Sequence, residues 1–170
     1  HKGTAGKTLN DLAEQYQLHD NLYKLRVGYK NNGLAGMCVQ QLDLQNRYGL
    51  TILEIRNETK KALGMDIRQS MAWADTVIAQ GDILYLYGDK DAMERFASDY
   101  HLIRMKTTRL DFYDIGISEI IVLPTSRLTG VRIRDSRLRE DYSVNILSIR
   151  RDENYIKEEL SDHRLRNGDI

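Results

Sequence analysis

Three arginines stand where they could do chemistry. Arg56 closes the run Ile52-Leu53-Glu54-Ile55-Arg56. Arg150 closes Ile146-Leu147-Ser148-Ile149-Arg150, with Arg151 directly after it. Each run reads as a short apolar strand. An arginine at the end of a core strand can reach a shared groove, and its planar guanidinium grips a phosphate through two parallel hydrogen bonds. Arg56, Arg150 and Arg151 are therefore the candidate ligand contacts, suited to a nucleotide phosphate. The competing reading is an ordinary charge at a strand end. Tyr85, Tyr87 and Tyr155 could stack on a base, although strand tyrosines more often pack against neighbours.

Nothing in the chain points to catalysis or to a metal. The acidic residues Asp135, Glu140-Asp141 and Glu158-Glu159 stand near Arg132, Arg134, Arg137 and Arg139, the pattern of a solvated, salt-laced helix face. General acid–base work needs a desolvated carboxylate instead. His1, His19, His101 and His163 are scattered without i, i+4 pairing or a cysteine partner, so no metal site is expected. Cys38, the single cysteine, reads as a small hydrophobe. No G-x-G-x-x-G follows a strand, which argues against a dinucleotide fold. Gly3-Thr4-Ala5-Gly6-Lys7-Thr8 looks loosely like a phosphate loop but lacks its spacing and its preceding strand. No enzyme activity is expected.

The elements that position the arginines occur twice. Leu34-Ala35-Gly36, Val39, Leu44, Tyr48 and Ile52 to Arg56 recur as Leu128-Thr129-Gly130, Ile133, Leu138, Tyr142 and Ile146 to Arg150. The offset is constant, 130 − 36 = 94 and 150 − 56 = 94. A Gly-Asp-Ile follows in each copy, but at 168 − 81 = 87, so the second copy lacks seven residues before it. A period this long indicates tandem domains, not a solenoid.

Bulk composition agrees with a globular protein. Hydrophobic residues make up 41% and charged residues 29%. Lys+Arg and Asp+Glu are equal at 25 each, so the chain offers no electrostatic attraction for nucleic acid or an anionic membrane, and no nucleic-acid partner is expected. A lone cysteine excludes an internal disulfide and fits a reducing cytosol. No apolar run approaches the ~18 residues that span a bilayer.

Local patterns place the elements. Residues 1–7 read as a frayed terminus, and Thr8 to Tyr16 as a short helix with Leu9, Leu12 and Tyr16 on one face. Asn21 to Val27 alternates, with Tyr23, Leu25 and Val27 facing inward. Lys30-Asn31-Asn32-Gly33 is a turn. Val39 to Tyr48 reads as helical and Gly49 as its cap. Leu50 to Arg56 and Asp82 to Tyr87 read as strands. Asn57 to Gln80 reads as long and irregular around a short hairpin. Lys90 to Tyr100 reads as a helix with Ala92, Met93, Phe96 and Ala97 as its stripe. His101 to Phe112 reads as a linker. In the second copy Ile117 to Leu123 and Val144 to Arg150 are expected strands, Val131 to Tyr142 a helical region, and Tyr155-Ile156 the start of a short strand. The chain begins without Met, and its second copy stops at Gly168-Asp169-Ile170, where the first copy starts a strand and a helix. The parent protein is therefore expected to continue beyond Ile170.

In order and spacing these pieces resemble the C-terminal domain of regulators of potassium conductance, the RCK-C or TrkA-C domain. Leu34-Ala35-Gly36, Leu44 to Tyr48, Ile52 to Arg56 and Gly81 to Gly88 carry the resemblance in the first copy. Ser126 to Gly130, Leu138 to Tyr142, Ile146 to Arg150 and Gly168 to Ile170 carry it in the second. The resemblance implies an α/β (α+β) fold of two tandem small domains whose short sheets are covered by helices. The expected division is a helix and linker at 1–19, a first domain at 20–101, a linker at 102–112 and a second domain at 113–170. Tandem copies without a nucleotide-binding half are similar to the cytosolic part of divalent-anion:sodium symporter-like permeases and of aspartate:alanine exchanger-type transporters. This implies a non-catalytic, ligand-sensing module on the cytoplasmic face of a cell membrane, joined to the transmembrane portion of its own protein. It also implies pairing of domains, either as a homodimer or within the chain. No cofactor is expected beyond a regulatory cyclic dinucleotide such as cyclic di-AMP. The alternative is a ligand-free dimerisation scaffold.

Overall fold

A computed structural model describes residues 9–29, 33–61, 64–108, 111, 115–157 and 159–170. The expected frayed terminus, the Gly3 to Thr8 fragment and residues 30–32 of the expected turn lie outside the described residues. The chain divides into a larger unit, Ala13–Gly116, and a smaller one formed by Ile117–Ile170 with the residues up to Leu12.

Helix α1 (Leu9–Gln15) and a short α2 (Leu18–Asn21) lead into strand β1 (Leu22–Arg26). After α3 (Val39–Leu42) and α4 (Leu44–Tyr48) come β2 (Thr51–Lys61), β3 (Gly64–Met71) and β4 (Ile83–Tyr87). Helix α5 (Lys90–Asp99) and the short β5 (Ile103–Met105) complete the larger unit. All five strands form one antiparallel sheet in the order β3-β2-β4-β1-β5. Strand β4 lies at its centre and is the most apolar, because it is paired on both edges and covered on both faces. One face carries Tyr23, Leu25, Ile55, Leu84 and Leu86. Leu34, Leu42, Leu44 and the α5 stripe Ala92, Met93 and Phe96 complete the same buried cluster, as the helix period predicts. Asp89 caps α5, its carboxylate accepting from the Asp91 and Ala92 amides at 2.8 and 3.2 Å.

Three expectations for the larger unit are corrected. The helical region Val39–Tyr48 is two short helices, broken at Asp43 in the left-handed conformation (φ 45°). The segment after Asn57 is a long hairpin of β2 and β3. Part of the expected linker, Ile103–Met105, is an edge strand on β1.

In the smaller unit, Ile133–Asp135 forms a 3₁₀ turn and Leu138–Tyr142 forms α6. Strands β6 (Ile149–Arg151) and β7 (Asn154–Ile156) form a short hairpin, and Leu160–Asp162 is another 3₁₀ turn. Val122, Ile149 and Leu165 are its buried centre, with Leu128, Ile133, Leu138, Ile146, Ile156 and Leu160 packed around them. The expected strand Ile117–Leu123 forms no ladder, and the expected strand Val144–Arg150 narrows to Ile149–Arg151. Ile170 exchanges both backbone bonds with Arg150 (2.7 and 3.0 Å), as Ile83 pairs with Arg56.

The repeat is repeated in hydrogen bonds. The Gly36 amide donates to Ile78 O at 2.8 Å, and the Gly130 amide to Leu165 O at 2.8 Å. Ile78 and Leu165 return a bond to Met37 O and Val131 O, at 2.9 Å each. The seven missing residues fall in the hairpin. Ile55 pairs with Ser70 and Ile149 with Ile156, separations of 15 and 7, so the hairpin is eight residues shorter and one residue is regained before His163.

One difference between the copies is a cap. Gly49 closes α4 with φ 72°, and Ser143 closes α6 with φ 57°. A side chain in this region costs about 1–2 kcal/mol, against about 0.5–1 kcal/mol of extra chain entropy for glycine. Replacing Ser143 by Gly is expected to stabilise the smaller unit by about 0.5–1 kcal/mol, read as a shift of its denaturant midpoint, whereas Gly49→Ser moves the larger unit the other way.

Candidate functional site

Strand alternation sends Lys24, Glu54 and Tyr85 to the face of the sheet opposite the α5 cluster. The register sets them side by side, since Tyr85 is the partner of Lys24 on one edge and of Glu54 on the other. Arg56 follows two residues along β2. Its guanidinium grips Glu54 through Nε, and through Nη2 at 3.3 Å, while Nη1 donates to the Tyr85 hydroxyl at 3.1 Å. The Arg56 guanidinium also lies 4.4 Å from the centre of the Tyr85 ring. Tyr85 in turn donates to Asp111 Oδ1 at 2.9 Å, and Lys24 Nζ donates to the same oxygen at 3.3 Å. Asp111 Oδ2 accepts from the Thr108 amide at 2.7 Å and its hydroxyl at 3.1 Å. Five side chains thus form one buried chain of charges and hydroxyls, two cations against two carboxylates.

Electrostatics follow from this closure. Burial pushes the Tyr85 phenol up; the Lys24 ammonium opposes that and the Asp111 carboxylate adds to it, leaving the phenol raised and protonated. Burial pushes the Asp111 carboxyl up too, but the Thr108 amide, the Tyr85 hydroxyl and Lys24 together outweigh it and hold it below the ordinary 3.8. Burial draws Lys24 down, yet Tyr85 and Asp111 hold it above its usual value.

The other two candidate arginines belong to the smaller unit. Arg151 forks onto Asp169, Nε and Nη2 each at 2.8 Å from a carboxylate oxygen. Asp169 Oδ2 also accepts from the Arg166 amide at 2.7 Å. The larger unit has the same construction with a neutral donor: Asn57 donates to Asp82 at 2.7 Å, and the Ala79 amide to its other oxygen at 2.8 Å. Arg150 lies 3.7 Å from Glu119, with 27% of its side chain exposed. Arg56 thus belongs to the larger unit, and Arg150 and Arg151 to the smaller. Arg56 is sealed in the network, and Arg151 serves the aspartate of the Gly-Asp-Ile motif.

Sequence reasoning missed Lys24, Glu54 and Asp111. Lys24 and Glu54 carried a usable signal, a charge flanked on both sides by apolar residues (Tyr23 and Leu25, Leu53 and Ile55), but Asp111 lies in a segment without periodicity. Tyr85, whose sequence reading favours packing over base stacking, is buried and bridges Arg56 to Asp111. Among the described residues no three His, Cys, Asp or Glu side chains are placed to hold a metal ion, and no helix is long and apolar enough to cross a membrane.

Residues 117–170 match the TrkA-C domain family. The chain is a mixed α/β chain whose residues 117–170 are similar to that domain family. Its curated relatives are transporters. The uncharacterized transporter sll0640 of Synechocystis is 25% identical over 171 residues, covering 94% of this chain and 27% of the relative. The uncharacterized transporter YfbS of Escherichia coli is 23% identical over 177 residues, covering 99% of this chain and 28% of the relative. The chain thus spans little more than a quarter of the length of these relatives. Among solved structures it is similar to the RCK_C domain dimer of S. agalactiae BusR in complex with c-di-AMP, with 23% identity over 48% of this chain and 96% of that one and a TM-score of 0.39. It is also similar to S. agalactiae BusR in complex with its busAB-promotor DNA, with 22% identity over 55% of this chain and 44% of that one and a TM-score of 0.40.

Two outcomes are expected. Glu54→Ala strands the Arg56 cation in the sheet and costs about 3–5 kcal/mol of unfolding free energy, whereas the double replacement Glu54→Leu with Arg56→Met recovers most of it. For Asp169, burial raises its carboxyl but Arg151 and the Arg166 amide lower it further, so its folded value lies below 3.8. Its contribution is complete above the ordinary 3.8 and is lost as pH falls from there through the lower folded value. The difference in melting temperature between the native chain and Asp169→Asn should accordingly be widest at neutral pH and shrink as pH falls through and below about 4.

Proposed function

We propose that this chain is a non-catalytic regulatory module on the cytoplasmic side of a membrane transporter, built from two tandem TrkA-C-type domains at about 20–101 and 113–170. The observation that carries the reading is the TrkA-C match over residues 117–170 in a chain whose curated relatives are transporters. The tandem part is supported by the hydrogen bonds that recur at the 94- and 87-residue offsets. In this reading a ligand favours one arrangement of paired domains, and the bias passes to the attached transporter. Pairing is with a second copy of the chain or within it.

The ligand of the proposal is a cyclic dinucleotide such as cyclic di-AMP. Arg150 is its preferred phosphate contact, because its side chain is the most exposed of the three candidates. Isothermal titration of the folded chain with cyclic di-AMP, with ATP and sulfate as controls, tests this. Binding at about 1 μM or tighter is expected, weakened roughly tenfold or more by Arg150→Ala. Arg56→Ala and Arg151→Ala are expected to lower stability before they change affinity. No heat with any of the three, from a protein that sediments as a dimer, supports the ligand-free scaffold instead.

A further inference from the structure

In the smaller unit, residues 130–133 and 163–165 run antiparallel. The Gly130 amide donates to Leu165 O at 2.8 Å, the Leu165 amide to Val131 O at 2.9 Å and the Ile133 amide to His163 O at 3.0 Å. The last two bonds bracket Arg132 and Arg164, which face each other as a single antiparallel bridge. A pair bracketed in this way is the closer kind, with Cα atoms about 4.5 Å apart and both side chains leaving on one face. Two guanidinium groups therefore start side by side. Like charges directly opposite one another destabilise a ladder.

The nearby carboxylates are engaged elsewhere. Asp162, two residues before Arg164, takes Arg134 Nη1 at 2.5 Å, and Asp169 takes the fork of Arg151. Arg164 donates through Nη1 to a neutral acceptor, Gly130 O at 2.7 Å. Among the described residues neither Arg132 nor Arg164 forms an ion pair. The larger unit builds the same bridge without charge. There Cys38 faces Val77, bracketed by the Val39 amide on Thr76 O at 3.0 Å and the Ile78 amide on Met37 O at 2.9 Å. The offsets are those of the repeat, 132 − 38 = 94 and 164 − 77 = 87. The backbone frame thus has no need of cations at this bridge, and the doubled arginine is a property of the second copy alone.

We propose that Arg132 and Arg164 form a binding site for a small tetrahedral oxyanion of two charges, sulfate or phosphate, held between the two guanidinium groups. Each guanidinium presents parallel N–H donors to a pair of oxygens, and a dianion matches the charge of both. The site stands apart from the cyclic dinucleotide reading. Arg151, whose Nη2 donates to Arg164 O at 3.0 Å, alternates along β6 with Arg150, so Arg150 projects from the other face.

Nuclear magnetic resonance of the full chain tests this through the arginine Nε–Hε signals, in slightly acidic solution where their exchange is slow. Sodium sulfate is titrated first and sodium phosphate second, with chloride holding the ionic strength constant. The signals missing from Arg132→Gln and from Arg164→Gln identify the two residues. Both are expected to move along one saturating curve with a Kd of about 1 mM. Either single replacement is expected to weaken the response of the remaining arginine roughly tenfold or more, since a charged hydrogen-bonding partner is lost. Arg150→Ala is expected to leave the curve unchanged. Signals that drift in proportion to anion concentration without saturating, or a curve at one arginine that survives replacement of the other, overturn the site.

Discussion

A phenol buried at the centre of a sheet must have its hydroxyl bonded, and the larger unit is arranged around that requirement at Tyr85. Its aromatic ring supports the apolar middle of β4, while its oxygen accepts from Arg56 and donates to Asp111. Each partner then brings its own demand. Arg56 needs a carboxylate and finds Glu54 two residues back on the same strand, which strand alternation places on the same face. Asp111 needs a cation and finds Lys24. Removing any one member leaves the next with an unanswered buried group, which is costlier than never having placed it there. The network adds a polar specification of register to the one set by the buried apolar face.

The legible parts of the fold were those governed by period and repeat. The α5 stripe and the inward set Tyr23, Leu25 and Val27 follow directly from side-chain spacing and lie where that spacing puts them. The length of the β2–β3 hairpin was hidden, because Asn57 to Met71 contains polar residues without clean alternation and reads as loop. The break at Asp43 was hidden because a left-handed aspartate leaves little trace in a helical pattern. Arg56 was legible as a distinctive arginine but not as a buried one. Its environment is set by Asp111, 55 residues later, and by the register of three strands. Composition around Arg56 carries no information about either.

The two halves show one framework under two chemistries. The aspartate of Gly-Asp-Ile ties three segments in each: its carbonyl holds Val27 or Val122, one carboxylate oxygen holds the Ala79 or Arg166 amide, and the residue after Arg56 or Arg150 completes it. That last residue is Asn57 in one half and Arg151 in the other. The backbone bonds survive the exchange because the carboxylate faces the same place, while the ionic character does not.

This difference bears on how such a chain reaches its fold. Sequences that repeat themselves risk crossed assembly, in which a segment of one copy docks into the frame of the other. A hairpin from the first copy placed in the second frame would set Asn57 against Asp169, exchanging the ionic fork of Arg151 for the single neutral bond that Asn57 makes to Asp82. The crossed hairpin would also carry eight residues too many for the site vacated by β6 and β7. Divergence at Arg151 thus gives the second frame an ion pair that the hairpin of the first copy does not carry.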